Sequence, residues 1–460
     1  MVRNLPVARS TKTLQSKIDA LGTYPRWKVL VGVILIGSLL IISRQPSVVY
    51  HPQFWAEDGA VWYADAWNRG WIALIQPHTG YLQTISRITA MIAVQLPFLW
   101  GPALFMLIAG LAQLAPLLYW FSPRYDTLIP HWGARLFLAF VYIGLPNSYE
   151  VNMNLTNAQW HLALVAFLIV FSQPPKTHRT WWRDLSLLAL AGVSGPFSVL
   201  LWPVAAWHTW ITRSRWAQHT LSVLSATALI QGVLILVTAG QARSHAPLGA
   251  SLLTLSRIIA GQIGLGAAIG LRGYAVMQLP YQQAVALIRH ISGLSLGAIV
   301  HIIDLWHTPL PPLIITLTMF ILALWAIRHG PPILQGFITY TVIILAASLV
   351  TPAVSRTRPA WDVMTQAGAG NRYFVLPILG WLVTLTWLAW QTQASVFRRI
   401  ARILLTITCA LGITVGWVYP AHGMEVLSPY VHALSSNPPG HHVVIPIEPK
   451  GWTMTLNAKH

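Results

Sequence analysis

Ten stretches of this chain carry no aspartate, glutamate, lysine or arginine: 29–43, 88–123, 136–149, 151–175, 185–212, 220–242, 305–327, 329–355, 373–397 and 403–424. A helix needs about 20 mainly apolar residues to cross a bilayer. Runs of this length and number leave one architecture, an all-α polytopic transmembrane helix bundle. The 460 residues are 55% hydrophobic and only 9% charged, against about 25% charged in a soluble domain. A single core surrounded by water does not absorb that imbalance, whereas lipid does. The break Gly195-Pro196 makes 185–212 either two short crossings or one kinked helix, because proline interrupts a helix and glycine permits the turn; two are taken here. The count is then about eleven transmembrane helices.

The net charge of +18 does not mark a nucleic-acid binder, because the cations cluster in short segments between apolar runs, as membrane orientation requires. With the N-terminus in the cytoplasm and the sides alternating, Arg3, Arg9, Lys12, Lys17, Arg26, Lys28, Arg124, Arg135, Lys176, Arg179, Arg183, Arg213, Arg215, Arg328, Arg398, Arg399 and Arg402 fall inside, 17 of the 29 basic residues. Glu57, Asp58, Asp65, Glu150, Asp304, Asp362, Glu425 and Glu448 fall outside, eight of the 11 acids. The expected organisation is a cytoplasmic tail (1–28), a transmembrane domain (29–419) and an extracytoplasmic tail (420–460). Outer loops are expected near 44–87, 146–160, 239–304 and 351–372. The first apolar run starts late and no small-residue cleavage site follows it, so it reads as a retained first helix.

The first outer loop, HPQFWAEDGAVWYADAWNRGWIALIQPHTGYLQTISR, is the most informative stretch. A helix over 58–71 puts Asp58, Trp62, Asp65 and Arg69 on one face. Tyr63, Trp67 and Trp71 form an aromatic stripe on another, which suits a helix lying in the interface at headgroup depth. The adjacent acids Glu57 and Asp58 sit at its N-terminus, where the helix dipole favours negative charge. They either cap the helix or supply a catalytic carboxylate. Two acids between Trp55 and Trp62 exceed what a cap requires.

The second outer loop, PNSYEVNMNLTNAQWH, gathers Glu150, Asn152, Asn154, Asn157, Gln159 and His161. Amides and carboxylates at that density suit sugar hydroxyls, which both donate and accept hydrogen bonds. Trp55, Asp65, Tyr81, Glu150, Asn154, Asn157, His161 and Tyr373 are the candidate sugar- or acceptor-binding residues. The third region, 239–304, is too long for a plain loop. With Arg243, His245, Arg257, Arg272, Tyr274, Tyr281, Arg289, His290, His301 and Asp304 in Gly-rich sequence, it predicts re-entrant or interfacial helices. The fourth, TPAVSRTRPAWDVMTQAGAGNRYFVLP, places Arg356, Arg358 and Arg372 outside, against the positive-inside bias. Arginine binds phosphate bidentately, and Gly368 and Gly370 permit close backbone approach. In the tail, Val443, Ile445 and Ile447 alternate as in a short strand over the outer face. His441-His442 lacks a third ligand at metal-binding spacing. The single cysteine, Cys409, excludes a disulfide framework. No metal or cofactor is expected.

The strings FWAEDGAVWYADAW, GYLQTISR, NLTNAQWHLAL, GNRYFVLP and IPIEPKGW resemble a bacterial family of polytopic membrane proteins allied to the GT-C superfamily of glycosyltransferases. Those enzymes use polyprenyl-phosphate-linked sugars. The resemblance implies a GT-C-like fold in the bacterial inner membrane and transfer of a sugar to a cell-envelope glycan or lipid. It also implies a catalytic base at Asp58 or Glu57, with Arg372, Arg356 and Arg358 holding the donor phosphate. The chain departs from the superfamily pattern in having no substantial soluble domain after its last apolar run. Two rival readings remain: a transporter or flippase of a lipid-linked sugar, and a non-catalytic membrane assembly protein. Transporters place ionisable groups at mid-membrane and show repeated, broken segments. Here the apolar runs are nearly charge-free and no internal repeat is found.

Overall fold

A computed structural model describes residues 24–238, 246–292, 297–421 and 423–458. Arg243, His245 and the basic residues before 24 lie outside the described residues, as does the side chain of Arg289. Among the described residues, seven helices are long and apolar enough to cross a membrane: Arg26–Arg44, Phe98–Trp120, Arg215–Thr238, Leu252–Met277, Leu310–His329, Pro332–Val350 and Asn371–Gln391. Shorter apolar helices, among them Trp132–Ile143 and Ala158–Phe171, complete the bundle. This is a helical, multi-pass membrane protein.

Packing follows composition. Ala158–Phe171 is apolar on every side, and every one of its residues is buried, as a helix without a polar face must be when it is surrounded by other helices. Arg26–Arg44, equally apolar, leaves most of its surface outward, the position of a lipid-facing helix. Local signals set the boundaries. Thr177 caps His178–Gly192 by accepting from the Thr180 N–H, and Ser251 and Thr254 form a capping box before Leu252, each satisfying otherwise orphaned helix N–H groups. The region 185–212 divides at Gly195-Pro196 as expected, into His178–Gly192 and Phe197–Thr212.

Polar contacts mark the two ends of the bundle. At one, Asp126 pairs with Arg26 at 2.7 Å and Arg135 at 2.8 Å, while Asp184 pairs with Arg124 and Arg183. At the other, the Arg44 guanidinium donates to the carbonyls of Ile143 and Leu145, and Thr84 donates to Val193. The informative loops all lie at this second end.

Leu252–Met277 is not a straight rod. Gly270 adopts φ 70°, ψ 176°, a left-handed conformation that costs glycine little, and the chain doubles back there. Gln262 donates to the Met364 and Gln366 carbonyls while Tyr274 donates to the Thr365 carbonyl between them. The Tyr274 phenol lies against Gly261. The expected re-entrant element in 239–304 is therefore this folded segment, followed by helices Tyr281–Ser292 and Gly297–His307. Gly270 and Gly412 meet backbone to backbone, the close approach that small residues four apart (Gly266 and Gly270, Gly412 and Gly416) allow between helices.

The short strand expected at the C-terminus is present, as one arm of a hairpin added to the helical bundle. His442–Ile447 (β1) and Trp452–Asn457 (β2) form an antiparallel hairpin with Val443 opposite Leu456 and Ile445 opposite Met454. One face is buried, through Val443, Ile445, Ile447, Met454 and Leu456, as strand alternation predicts. Each buried side chain of this size contributes about 1.5–3 kcal/mol. That face covers the helix of the first outer loop. The Trp67 indole donates to the Asn457 carbonyl at 2.8 Å, and Asn68 donates to the Thr455 carbonyl.

Candidate functional site

The first outer loop enters the site through Trp55 and Ala56, paired with the tail. The Ala56 N–H donates to the Glu448 carbonyl at 2.5 Å, and the Glu448 N–H donates to the Phe54 carbonyl at 3.2 Å. Ala56 is held at φ 46°, an uncommon conformation for a residue with a Cβ and one that persists where its surroundings enforce it. The helix then opens with the π-helical segment Asp58–Tyr63, continues as Ala64–Arg69 and ends in the tighter turns of Gly70–Ile75.

The aromatic stripe behaves differently from its expectation. Tyr63 is fully buried against Phe54 and Phe98, and Trp67 lies under the hairpin. Both are covered by protein where lipid was expected: Phe54, Phe98 and Phe105 enclose Tyr63, and the tail hairpin covers Trp67. Only the last turn suits the interface, where Trp71, Ile72 and Ile75 are exposed.

The expected polar face is present. Glu57 makes no capping bond to the helix. Asp58, 4% exposed, accepts at Oδ1 from the Thr156 N–H at 2.9 Å and the Thr156 hydroxyl at 2.7 Å. The Trp62 indole N–H in turn donates to that hydroxyl oxygen at 2.8 Å. Burial raises the Asp58 pKa from 3.8 to about 7, and the nearby Glu57 charge adds to this while the Thr156 bonds oppose it. Asp65 is a structural anion. It pairs with Arg87 at 2.7 Å and Arg69 at 3.6 Å, and the Arg87 guanidinium lies over the Trp62 ring. These ion pairs tie it to the loop.

Glu150 is the hinge of the site. Its Oε2 accepts from the Arg372 guanidinium at 3.3 Å and from the Arg372 backbone N–H at 3.2 Å. Arg372 also donates to the Ala353 carbonyl and lies over the Tyr373 ring at 4.8 Å. The expected three-arginine clamp is not assembled here. Arg356 and Arg358 are exposed on a Pro-bounded loop, and neither forms a salt bridge among the described residues.

The other polar residues of the second loop divide into two groups. His161 has both ring nitrogens engaged within the protein: its Nδ1 meets the Tyr142 hydroxyl at 2.7 Å and its Nε2 meets the Val151 carbonyl at 3.0 Å. Asn157 donates from its side chain to the Glu150 carbonyl, and its N–H donates to the Asn154 side chain, so both shape the loop. Tyr81 is partly buried beside Tyr373 and Arg372, its phenol pushed above its ordinary pKa by burial. His78, edge-on to Trp62 at 5.1 Å, has its pKa lowered by burial.

These loops and the tail enclose a cavity of about 130 Å³, lined by Asp58, Glu150, Glu448, Trp55, Asn152 and Asn154, among others. Glu448, 9% exposed, escaped the sequence-level search for site residues. The tail signalled a strand by alternation, but not its partner. The one available signal was the rarity of acids, 11 in the whole chain. Gln45, which also lines the cavity, was likewise not singled out, whereas Asn152 was named in the polar second loop. Among the described residues no three His, Cys, Asp or Glu side chains are grouped to hold a metal ion. Comparison with known proteins returns nothing: no family model, no curated protein and no solved structure matches this chain.

Proposed function

We propose that this chain is an inverting membrane glycosyltransferase of GT-C type, moving a sugar from a polyprenyl-phosphate donor to an extracytoplasmic glycan or lipid. The observation that carries this reading is the junction at Glu150. That carboxylate lines the cavity of Asp58 and also pairs with Arg372, which lies beyond the lining, so one residue links a candidate base to a candidate phosphate-binding cation. A general base is most effective when its pKa lies near the working pH, and Asp58 at about 7 meets that condition. In the reaction, Asp58 takes the acceptor hydroxyl proton as that oxygen bonds to the anomeric carbon. The bond from that carbon to the phosphate oxygen breaks, and its electron pair leaves with the polyprenyl phosphate. Arg372 balances the charge that grows there. Direct attack inverts the anomeric centre. The proposed topology counts eleven crossings, N-terminus inside, with 252–307 re-entering from the outer side. In that count the Asp126 and Asp184 clusters lie in the cytoplasm and the cavity faces outward.

The decisive experiment reconstitutes the purified protein with a radiolabelled polyprenyl-phosphate sugar and a membrane extract as acceptor. Label moved in an Asp58-dependent manner supports transfer. Label delivered across the membrane with the donor intact supports the second reading, a lipid-linked-sugar transporter. That reading draws on the broken helix at Gly270, since discontinuous helices shape transport sites.

A further inference from the structure

The cavity is acidic in a chain that is strongly basic. Asp58, Glu150 and Glu448 line it, three of the 11 acids in a protein of net charge +18, and no Lys, Arg or His is among its lining residues. Arg372 neutralises Glu150 from outside the lining, while Glu448 forms no salt bridge among the described residues. Among the described residues, two further side chains have unmatched polar atoms there. Gln45, 5% exposed, donates through its amide nitrogen to the Pro420 carbonyl, yet its Oε1 has no hydrogen-bond partner. Asn152, 3% exposed, accepts from Gln113 at Oδ1, yet its Nδ2 has none. A buried polar atom without a partner costs about 1–3 kcal/mol, and such atoms in a native fold call for an explanation such as a ligand or ordered water.

We infer that this cavity binds a primary ammonium group next to an oxygen acceptor, the pattern of an amino sugar with its hydroxyl or of an ethanolamine headgroup with its phosphate ester oxygens. An ammonium carries three donors and no acceptor, which matches Glu448, Glu150 and the vacant Gln45 Oε1. The adjacent oxygen supplies the acceptor that Asn152 Nδ2 lacks. Trp55 and Tyr149, also in the lining, offer aromatic faces of the kind that attract cations. The volume, about 130 Å³, is well above what a single water needs and admits a small amine-bearing group. Calcium or magnesium is a poorer occupant, because each prefers six or more oxygen ligands or its own waters. This inference rests on reading the cavity as a substrate site and specifies the chemistry of what enters it.

The test measures binding without turnover, so it can fail independently of the transfer reading. Full-length protein is placed in phosphatidylglycerol nanodiscs, and its thermal unfolding is followed with glucosamine, N-acetylglucosamine and glucose at pH 7.5. Phosphatidylethanolamine is added to the discs in a separate arm. Stabilisation by glucosamine, at least tenfold stronger in apparent affinity than by the other two sugars, is the expected result if the amine arrives on a glycan. Stabilisation by phosphatidylethanolamine alone assigns it to a lipid headgroup and leaves the inference intact. In Glu448→Gln the preference for the amine disappears while unliganded unfolding stays near wild type, an outcome that a purely structural carboxylate would not give. Equal effects of the three sugars, no effect of either amine, a preference that survives in Glu448→Gln, or stabilisation by manganese in place of the amines each overturn the inference. A protein that discriminates amines but transfers no sugar sinks the transfer reading alone.

Discussion

Asp58 pulls stability and activity in opposite directions. Its folded-state pKa of about 7 lies above the ordinary 3.8, so between these values the folded chain holds a proton that the unfolded chain has released. The stability associated with that proton is present at low pH and is lost as pH rises towards 7. Above 7 the folded protein carries a buried charge at a cost on the order of 4 kcal/mol, from about 1.36 kcal/mol per tenfold change in proton affinity. Asp58→Asn retains an oxygen for the Thr156 donors and removes the charge. The variant should unfold at a higher temperature than wild type at pH 8, with the advantage shrinking towards pH 5, while transfer falls by about 10² or more. Wild-type transfer should rise with pH through about 7. A variant that is no more stable than wild type at pH 8, measured by calorimetry in detergent, would contradict the buried-charge account. Arg372 makes a second case. Arg372→Lys keeps the charge but loses the planar fork, so turnover should drop; Arg372→Ala should drop further, and exposed Arg356→Ala should leave turnover near wild type. Initial rates at saturating donor decide this. Both residues were legible from local density, an acid pair beside tryptophans and an arginine before a membrane run. Glu448 was not, because period-2 alternation reveals which side of a strand faces in but not what it meets.

At the scale of elements, glycine positions govern the re-entrant segment. Gly270→Ala puts a Cβ on a residue with φ 70°, about 3.2 Å from the Gly412 carbonyl. Strain of this kind costs about 1–3 kcal/mol, so unfolding should shift by that amount while Gly232→Ala, with open space around it, should be neutral or slightly stabilising because alanine favours helix. Denaturant titration of the two variants compares them directly. The sequence pattern marked 239–304 as too long for a loop, yet hydropathy alone makes Leu252–Met277 look like a plain crossing. What decides between them is a single backbone torsion at Gly270, invisible to an average over residues. The first-loop helix shows the same limit. Its polar face was readable from 3.6-residue spacing, whereas the fate of Trp67 depended on a hairpin far along the chain.

For the whole molecule, charge placement is the readable quantity. The outer end gathers Asp58, Asp65, Glu150 and Glu448, and the opposite end gathers Arg26, Arg124, Arg135 and Arg183. Reporter fusions at residues 20 and 455 should therefore give cytoplasmic and extracytoplasmic signals respectively; a cytoplasmic signal at 455 would rule out an odd number of crossings. Composition and run length sufficed for membrane residence, since 9% charge leaves no soluble alternative. Packing order was beyond them: Ala158–Phe171 and Arg26–Arg44 are similarly apolar, yet one is the centre of the bundle and the other its rim.

The pairing of the first outer loop with the tail has a temporal meaning. Trp67 and Asn457 are bonded across 390 residues, and contacts of such separation form late because the intervening chain must first be brought together. A chain made from its N-terminus at about 5–20 residues per second has Glu57 and Asp58 outside the membrane long before Glu448 leaves the ribosome. Through that interval the loop exists without its wall, and no partly inserted chain holds a finished cavity. The hairpin thus works as a completion signal: competence arrives only after the last crossing is in place, and a chain stalled earlier is born inert.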